Sequence, residues 1–174
     1  LEGLADYLVE AIQKLEQVGS DFAVISANTP HIVFEEVEKR VQIPLYSIVE
    51  ETYKQAEKLG LHKLGLIGTK FTMEHDFFKV PFTDQGMDVV VPNEVEQQYI
   101  HQKLVEELEN GIVNETTKKN YLKIINDMIT RDGIEGIILG CTELPMIIKE
   151  EDLDFPQLNT TEIHINKIID VMFS

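Results

Sequence analysis

Gly136-Ile137-Ile138-Leu139-Gly140-Cys141-Thr142-Glu143-Leu144-Pro145 is the stretch that decides how the chain is read. A short unbroken apolar run closed by glycine is the pattern of a strand buried on both faces. The polar pair Thr142-Glu143 marks where the chain leaves the sheet. Cys141, the only cysteine of the chain, stands at that point. The pattern predicts a helix start directly after it, where free amides and the helix dipole would lower the thiol pKa from its usual ~8.5 and favour thiolate. Such a group suits a general base or nucleophile; a small buried thiol packed at a strand end is the alternative.

Val24-Ile25-Ser26-Ala27-Asn28-Thr29-Pro30-His31 has the same build, with alanine where the other stretch has its thiol. Setting Ala27 against Cys141 brings Pro44 close to Pro156 and sets Ser47 against Asn159, both at helix-cap positions. The chain therefore reads as two related halves whose strand ends face one cleft, the place where open parallel sheets bind ligands. Asn28, Thr29 and the amides of their turn could hold a carboxylate, or simply cap the following helix with Pro30 in its first turn. Gly68-Thr69-Lys70-Phe71-Thr72-Met73 follows another apolar strand and could add an anion contact, although it lacks the spacing of a phosphate-binding loop. Glu143 is a candidate acid or orienter of Cys141. His31 and His164 are ambiguous between orienting and packing roles, and Glu106, Glu107 and Glu109 read as a solvated helix face.

Outward from these motifs, helical periodicity opens the chain with Leu4, Leu8, Ile12 and Leu15 on one face. Strands are expected at 22–25, 43–46, 64–67, 89–91 and 136–139, and helices at 31–39, 48–59, 92–108 and 116–131 and from 160 onward. Alternation of this kind predicts an α/β fold of two pseudosymmetric lobes, with parallel sheets flanked by helices and joined by right-handed crossovers. Residues 1–46 are expected to form a partial first lobe and 47–158 the second, with 159–174 a helix returning to the first.

The 174 residues carry 31 acidic and 15 basic side chains, a formal charge of −16. That balance argues against nucleic acid, which demands clustered Lys and Arg. No apolar run reaches the ~20 residues of a membrane helix and no signal-peptide pattern appears, so no membrane partner and a cytoplasmic location are expected. One cysteine cannot form an internal disulfide, and no second Cys or close His pair suggests zinc.

Ala27-Asn28-Thr29-Pro30-His31, Gly68-Thr69-Lys70-Phe71-Thr72-Met73, Gly140-Cys141-Thr142-Glu143-Leu144 and Asn159-Thr160-Thr161 with His164 together resemble the aspartate/glutamate racemase family in order and approximate spacing. The resemblance implies two α/β lobes, chemistry without pyridoxal phosphate or metal, and a small carboxylate or amino-acid substrate. It also implies a cysteine from each lobe flanking the substrate's α-carbon. Carried over by position, Cys141 is the second-lobe acid/base. Asn28, Thr29 and Thr142 surround the substrate carboxylate, and Thr69 and Thr72 line the same pocket. Two departures stand out: Ala27 replaces the first-lobe thiol, and Asn159 stands where aspartate is usual. Relatives of this kind begin with a βαβ portion, so the first lobe is expected to lack its N-terminal part here; a homodimer could pair the sheet edge this leaves. The expected function is racemase-type proton transfer at the α-carbon of aspartate or glutamate. The alternatives are a one-thiol decarboxylase or diacid isomerase, or an inactive carboxylate-binding relative.

Overall fold

The computed structural model describes residues 1–174, the side chain of residue 2 excepted. The first half contains α1 (Glu2–Gln17), β1 (Ala23–Val24), α2 (Phe34–Glu38), β2 (Leu45–Tyr46) and α3 (Ile48–Lys58). Then come β3 (Lys63–Gly68), the short helices α4 (Lys70–Glu74) and α5 (Val80–Thr83), β4 (Asp88–Val90) and α6 (Glu94–Glu106). α7 (Glu115–Asp132), β5 (Gly136–Gly140), β6 (Gln157–Asn159) and α8 (Thr160–Met172) complete the chain. β1 and β2 form a parallel pair, and the other four strands form a parallel sheet in the order β4-β3-β5-β6. The fold is thus α/β, with parallel sheets flanked by helices.

The central strands explain why the four-stranded sheet is stable. Alternate residues of a strand face opposite sides. Ile137 and Leu139 point into a core with Ile67, Ile125, Met128 and Tyr121, while Ile138 points to the other face with Leu64, Leu66, Phe78 and Phe82. All but Leu139, at 2% exposure, are fully buried. Burial of each such side chain stabilises by about 1.5–3 kcal/mol. A third core, from Ala5, Val9, Ile12, Ala23, Phe34, Val37 and Leu45, binds α1 and α2 to the small sheet. Leu15, expected on the inner face of α1, is 44% exposed.

The repeat expected from the sequence is present in the order of elements. β2 runs into Ser47, whose Oγ accepts from the Glu50 amide at 3.3 Å and caps α3. β6 ends at Asn159, whose Oδ1 accepts from the Glu162 amide at 3.3 Å and caps α8. Three elements were not anticipated. β6 carries one apolar residue in three, so no hydrophobic run announces it, and α4 and α5 are about one turn each, too short for periodicity to register. The helix expected over 31–39 is divided into a 3-10 segment, Thr29–Val33, and α2.

At the C-terminal ends of β3 and β5, Gly68 pairs with Gly140 in close backbone contact. A Cβ on Gly68 would lie 2.9 Å from the Gly140 carbonyl oxygen, a backbone atom held by the sheet. A Cβ on Gly65 would meet only the tips of Ile134 and Ile137, at 2.8 Å, and of Met128, at 3.1 Å; these are side-chain ends that can swing. Gly68→Ala is therefore expected to cost about 1–3 kcal/mol in urea unfolding, and more than Gly65→Ala. The reverse order would show that the strand contact is not tight.

Candidate active site

The site is assembled by strand register. Gly68 pairs with Gly140 and Leu139 with Asn159, so Thr69, Cys141 and Thr160 leave three neighbouring strands at one sheet edge. Adjacent strands lie about 4.8 Å apart, which brings these residues together without any loop having to fold over them. Thr69 caps α4: its Oγ1 accepts from the Thr72 amide at 3.2 Å and lies 3.1 Å from the Thr72 hydroxyl. The Thr72 hydroxyl is in turn 3.4 Å from that of Thr29, which belongs to the turn after β1.

Asn28 makes the second bridge between the two sheets. Its Nδ2 donates to Thr160 Oγ1 at 3.2 Å, and the Thr160 hydroxyl donates to the Leu139 carbonyl at 2.9 Å. Since that hydroxyl commits its proton to Leu139, it must receive one from Asn28, which fixes the orientation of the carboxamide. Both side chains are buried, and Asn28 Oδ1 is left without a partner.

His31 holds the same turn from behind. The Ile48 amide donates to its Nε2 at 3.1 Å, so the proton resides on Nδ1, which donates to the Ala27 carbonyl at 2.8 Å. The ring is 5% exposed and stacks on Phe34, and burial is the main cause that pushes its pKa down to about 4, with nearby His164 adding to it. His164, also buried, donates from Nε2 to the Tyr46 carbonyl at 2.8 Å and ties α8 to β2. Both histidines therefore act on backbone carbonyls.

The thiol departs from the sequence expectation. No α-helix follows Cys141; the chain makes a three-residue 3-10 turn, Leu144–Met146, too short to carry a useful dipole. Burial pushes the thiol up to about 12 instead, and Glu143 adds to this through a hydrogen bond and its charge. Cys141 Sγ, in a residue 8% exposed, donates to Glu143 Oε2 at 2.9 Å. Burial alone would raise the Glu143 carboxyl, but hydrogen bonds from Cys141, Thr142 and its own amide bring it below the usual carboxylate range. The resting pair is a neutral thiol beside a carboxylate.

Asn28, Thr29, Thr69 and Thr72 are thus linked across the two sheets, with Cys141 one strand away. Half-buried Ala27 offers only a methyl group, and Thr142 is exposed, its hydroxyl serving Glu143. Thr160 is the residue that sequence reasoning passed over, because its role follows from β6. A groove of about 1050 Å³ lies nearby between α3, α8 and residues 145–157, lined by charged groups such as Lys54, Lys58, Glu162 and Lys167. Cys141, Asn28 and the threonine cluster are not part of it, and its size alone gives it no chemistry. Among the described residues no helix is long and apolar enough to cross a membrane.

Known proteins share this fold. The sequence profile of the Asp/Glu/Hydantoin racemase family matches residues 2–168. The crystal structure of an aspartate racemase homologue from Pyrococcus horikoshii superposes with a TM-score of 0.91 at 36% identity, covering 99% of this chain and 76% of that one. A glutamate racemase of Aquifex pyrophilus is 28% identical over 147 residues, 83% of this chain and 54% of its own. A broad specificity amino-acid racemase of Bacillus subtilis is 23% identical over 154 residues, 88% of this chain and 66% of its own. The chain spans about half to two thirds of the length of these two enzymes.

His31 supplies a pH test of the inter-sheet network. Its pKa is lower folded than unfolded (about 4 against about 6.5), so the unfolded chain takes up the proton first as pH falls. The stability it contributes is present above pH ~6.5 and is lost between there and pH ~4, on the order of 3 kcal/mol. Urea unfolding of His31→Gln should lack that component while keeping the slope due to carboxylates. Parallel pH profiles for the variant and the unaltered chain would contradict it.

Proposed function

The chain belongs to the Asp/Glu/Hydantoin racemase family, and on that premise we propose that it moves a proton at the α-carbon of a small acidic amino acid, with Cys141 as the acid/base. The observation that carries this reading is the placing of the chain's single thiol at the sheet edge that also gathers Asn28, Thr29, Thr69 and Thr72. Asn28, Thr29, Thr69, Thr72 and Thr142 would hold the substrate carboxylate through hydroxyl, amide and backbone donors. This suits a chain whose net charge of −16 offers no general attraction for anions. Cys141 would act on one face of the α-carbon. The methyl group of Ala27 can neither give nor take a proton, so inversion needs a donor other than residue 27.

A second reading is favoured by the neutral resting state of Cys141. A thiol that keeps its proton is a donor, and a donor on one face is what a decarboxylation needs to quench its enolate. Release of carbon dioxide from an arylmalonate, lost in Cys141→Ala, would favour this over amino-acid chemistry.

Incubating the protein with aspartate or glutamate in heavy water and following the Cα–H signal by proton NMR tests the leading reading. Deuterium is expected to enter Cα, and Cys141→Ala should slow the exchange by at least about 100-fold. No exchange with either amino acid would rule the reading out.

A further inference from the structure

The end of α6 carries a chemistry that the proposed reaction does not use. Asn110 is the only one of the chain's eight asparagines that is followed by glycine. An asparagine in that position readily loses its side-chain amide, because no side chain screens the glycine nitrogen from the carboxamide carbon. Asn110 and Gly111 are both exposed, and Gly111 holds the left-handed φ of +72° that ends the short 3-10 turn Leu108–Asn110. The fold nevertheless engages both reacting groups. Asn110 Nδ2 donates to the Val105 carbonyl at 3.0 Å and the Glu106 carbonyl at 3.4 Å, so the carboxamide turns back over the end of α6. The Gly111 amide donates to the Leu108 carbonyl at 2.9 Å. From this we infer that Asn110 is a site of spontaneous deamidation that the folded chain keeps closed, and that it reacts only when the end of α6 frays.

The step needs only water. The Gly111 nitrogen gives its proton to solvent and bonds to Asn110 Cγ; the Cγ–Nδ2 bond breaks, and the nitrogen leaves as ammonia with a proton from solvent. The five-membered imide that results takes up water at one of its two carbonyls. A C–N bond of the ring then breaks, and residue 110 becomes aspartate or, with the backbone rerouted through its side chain, isoaspartate. Refolding cannot reverse the change. A carboxylate has no hydrogen to donate, so the Val105 and Glu106 carbonyls lose their partner. It also puts a negative charge at the negative end of a 13-residue helix, where Glu106, Glu107 and Glu109 already stand and Lys103 is already paired with Glu107 at 2.7 Å. The turn matters because it seats α7. The Ile112 amide donates to the Glu107 carbonyl at 2.9 Å, and the buried Glu107 carboxylate accepts from Thr117 Oγ1 at 2.6 Å. Loss of the cap therefore weakens the join of α6 to α7.

The folded protein and a sample unfolded in urea are incubated in parallel at mildly alkaline pH in water enriched in heavy oxygen, then digested in ordinary water for mass spectrometry. Heavy oxygen is expected at residue 110 before any other asparagine, and at least about tenfold faster in the unfolded chain. Folded and unfolded rates within about threefold of one another would overturn the inference, as would a different asparagine reacting first in urea or no reaction at residue 110. Two variants test what the change does to the fold. Asn110→Asp reproduces one product, and Asn110→Ala removes the donor without adding charge. Asn110→Asp is expected to lower the thermal midpoint by about 2–4 °C, and Asn110→Ala by less. A midpoint for Asn110→Asp equal to that of the unaltered chain would show that the carboxamide does not cap α6, which removes the hold of the fold on this site and with it the inference.

Discussion

The close backbone contact of Gly68 and Gly140 is the constraint on which the site depends. With no side chain at either position, β3 and β5 end level with one another, and the residues that follow, Thr69 and Cys141, emerge side by side. Two strands that diverged at this point would still bury Leu64, Leu66, Ile137 and Ile138, and the core would survive. What would be lost is the distance between the thiol and the threonine hydroxyls. The sheet interior provides the stability and its glycine-paired edge provides the geometry.

The second dependence is the set of buried hydrogen bonds that fastens the small sheet to the large one. Asn28, Thr160 and the Leu139 carbonyl form one chain of donors and acceptors, and Ile48, His31 and the Ala27 carbonyl form another. Each is directional, and a buried donor or acceptor left unmade would cost about 1–3 kcal/mol. The turn at 27–29 is thus held from two sides although neither β1 nor β2 is longer than two residues. The burial that secures these links also keeps His31 neutral and Cys141 protonated, so structure and protonation state have one physical cause.

Much of the fold was legible in the sequence because its strongest signals are local. The apolar run 136–139, the alternation of strands and helices, and the Ser47 and Asn159 caps all lie where expected. β6 was not legible: Gln157 and Asn159 give it no apolar run, and its place in the sheet is set by pairing with β5. Missing β6 meant missing Thr160 as the bridge to Asn28, since nothing local distinguishes that threonine from its neighbour Thr161. The thiol was misread for a related reason. A polar pair after a glycine predicted a helix start, but Leu144-Pro145 closes into a short 3-10 turn, and burial beside Glu143 decides the protonation of Cys141. Identity and position of the candidate residues could be read from the chain; their ionisation depends on neighbours brought in by tertiary structure.

The account centres on one-faced proton transfer by Cys141, with Ala27 silent on the other face. Its most direct test is the stereochemistry of exchange. Pure L- and D-aspartate, incubated separately in heavy water, would be sampled for both deuterium at Cα and enantiomeric excess by chiral chromatography. The account predicts that one enantiomer gains deuterium while keeping its configuration and the other gains little. Deuterium entering both enantiomers with matching inversion would contradict it and require a second acid/base opposite Cys141.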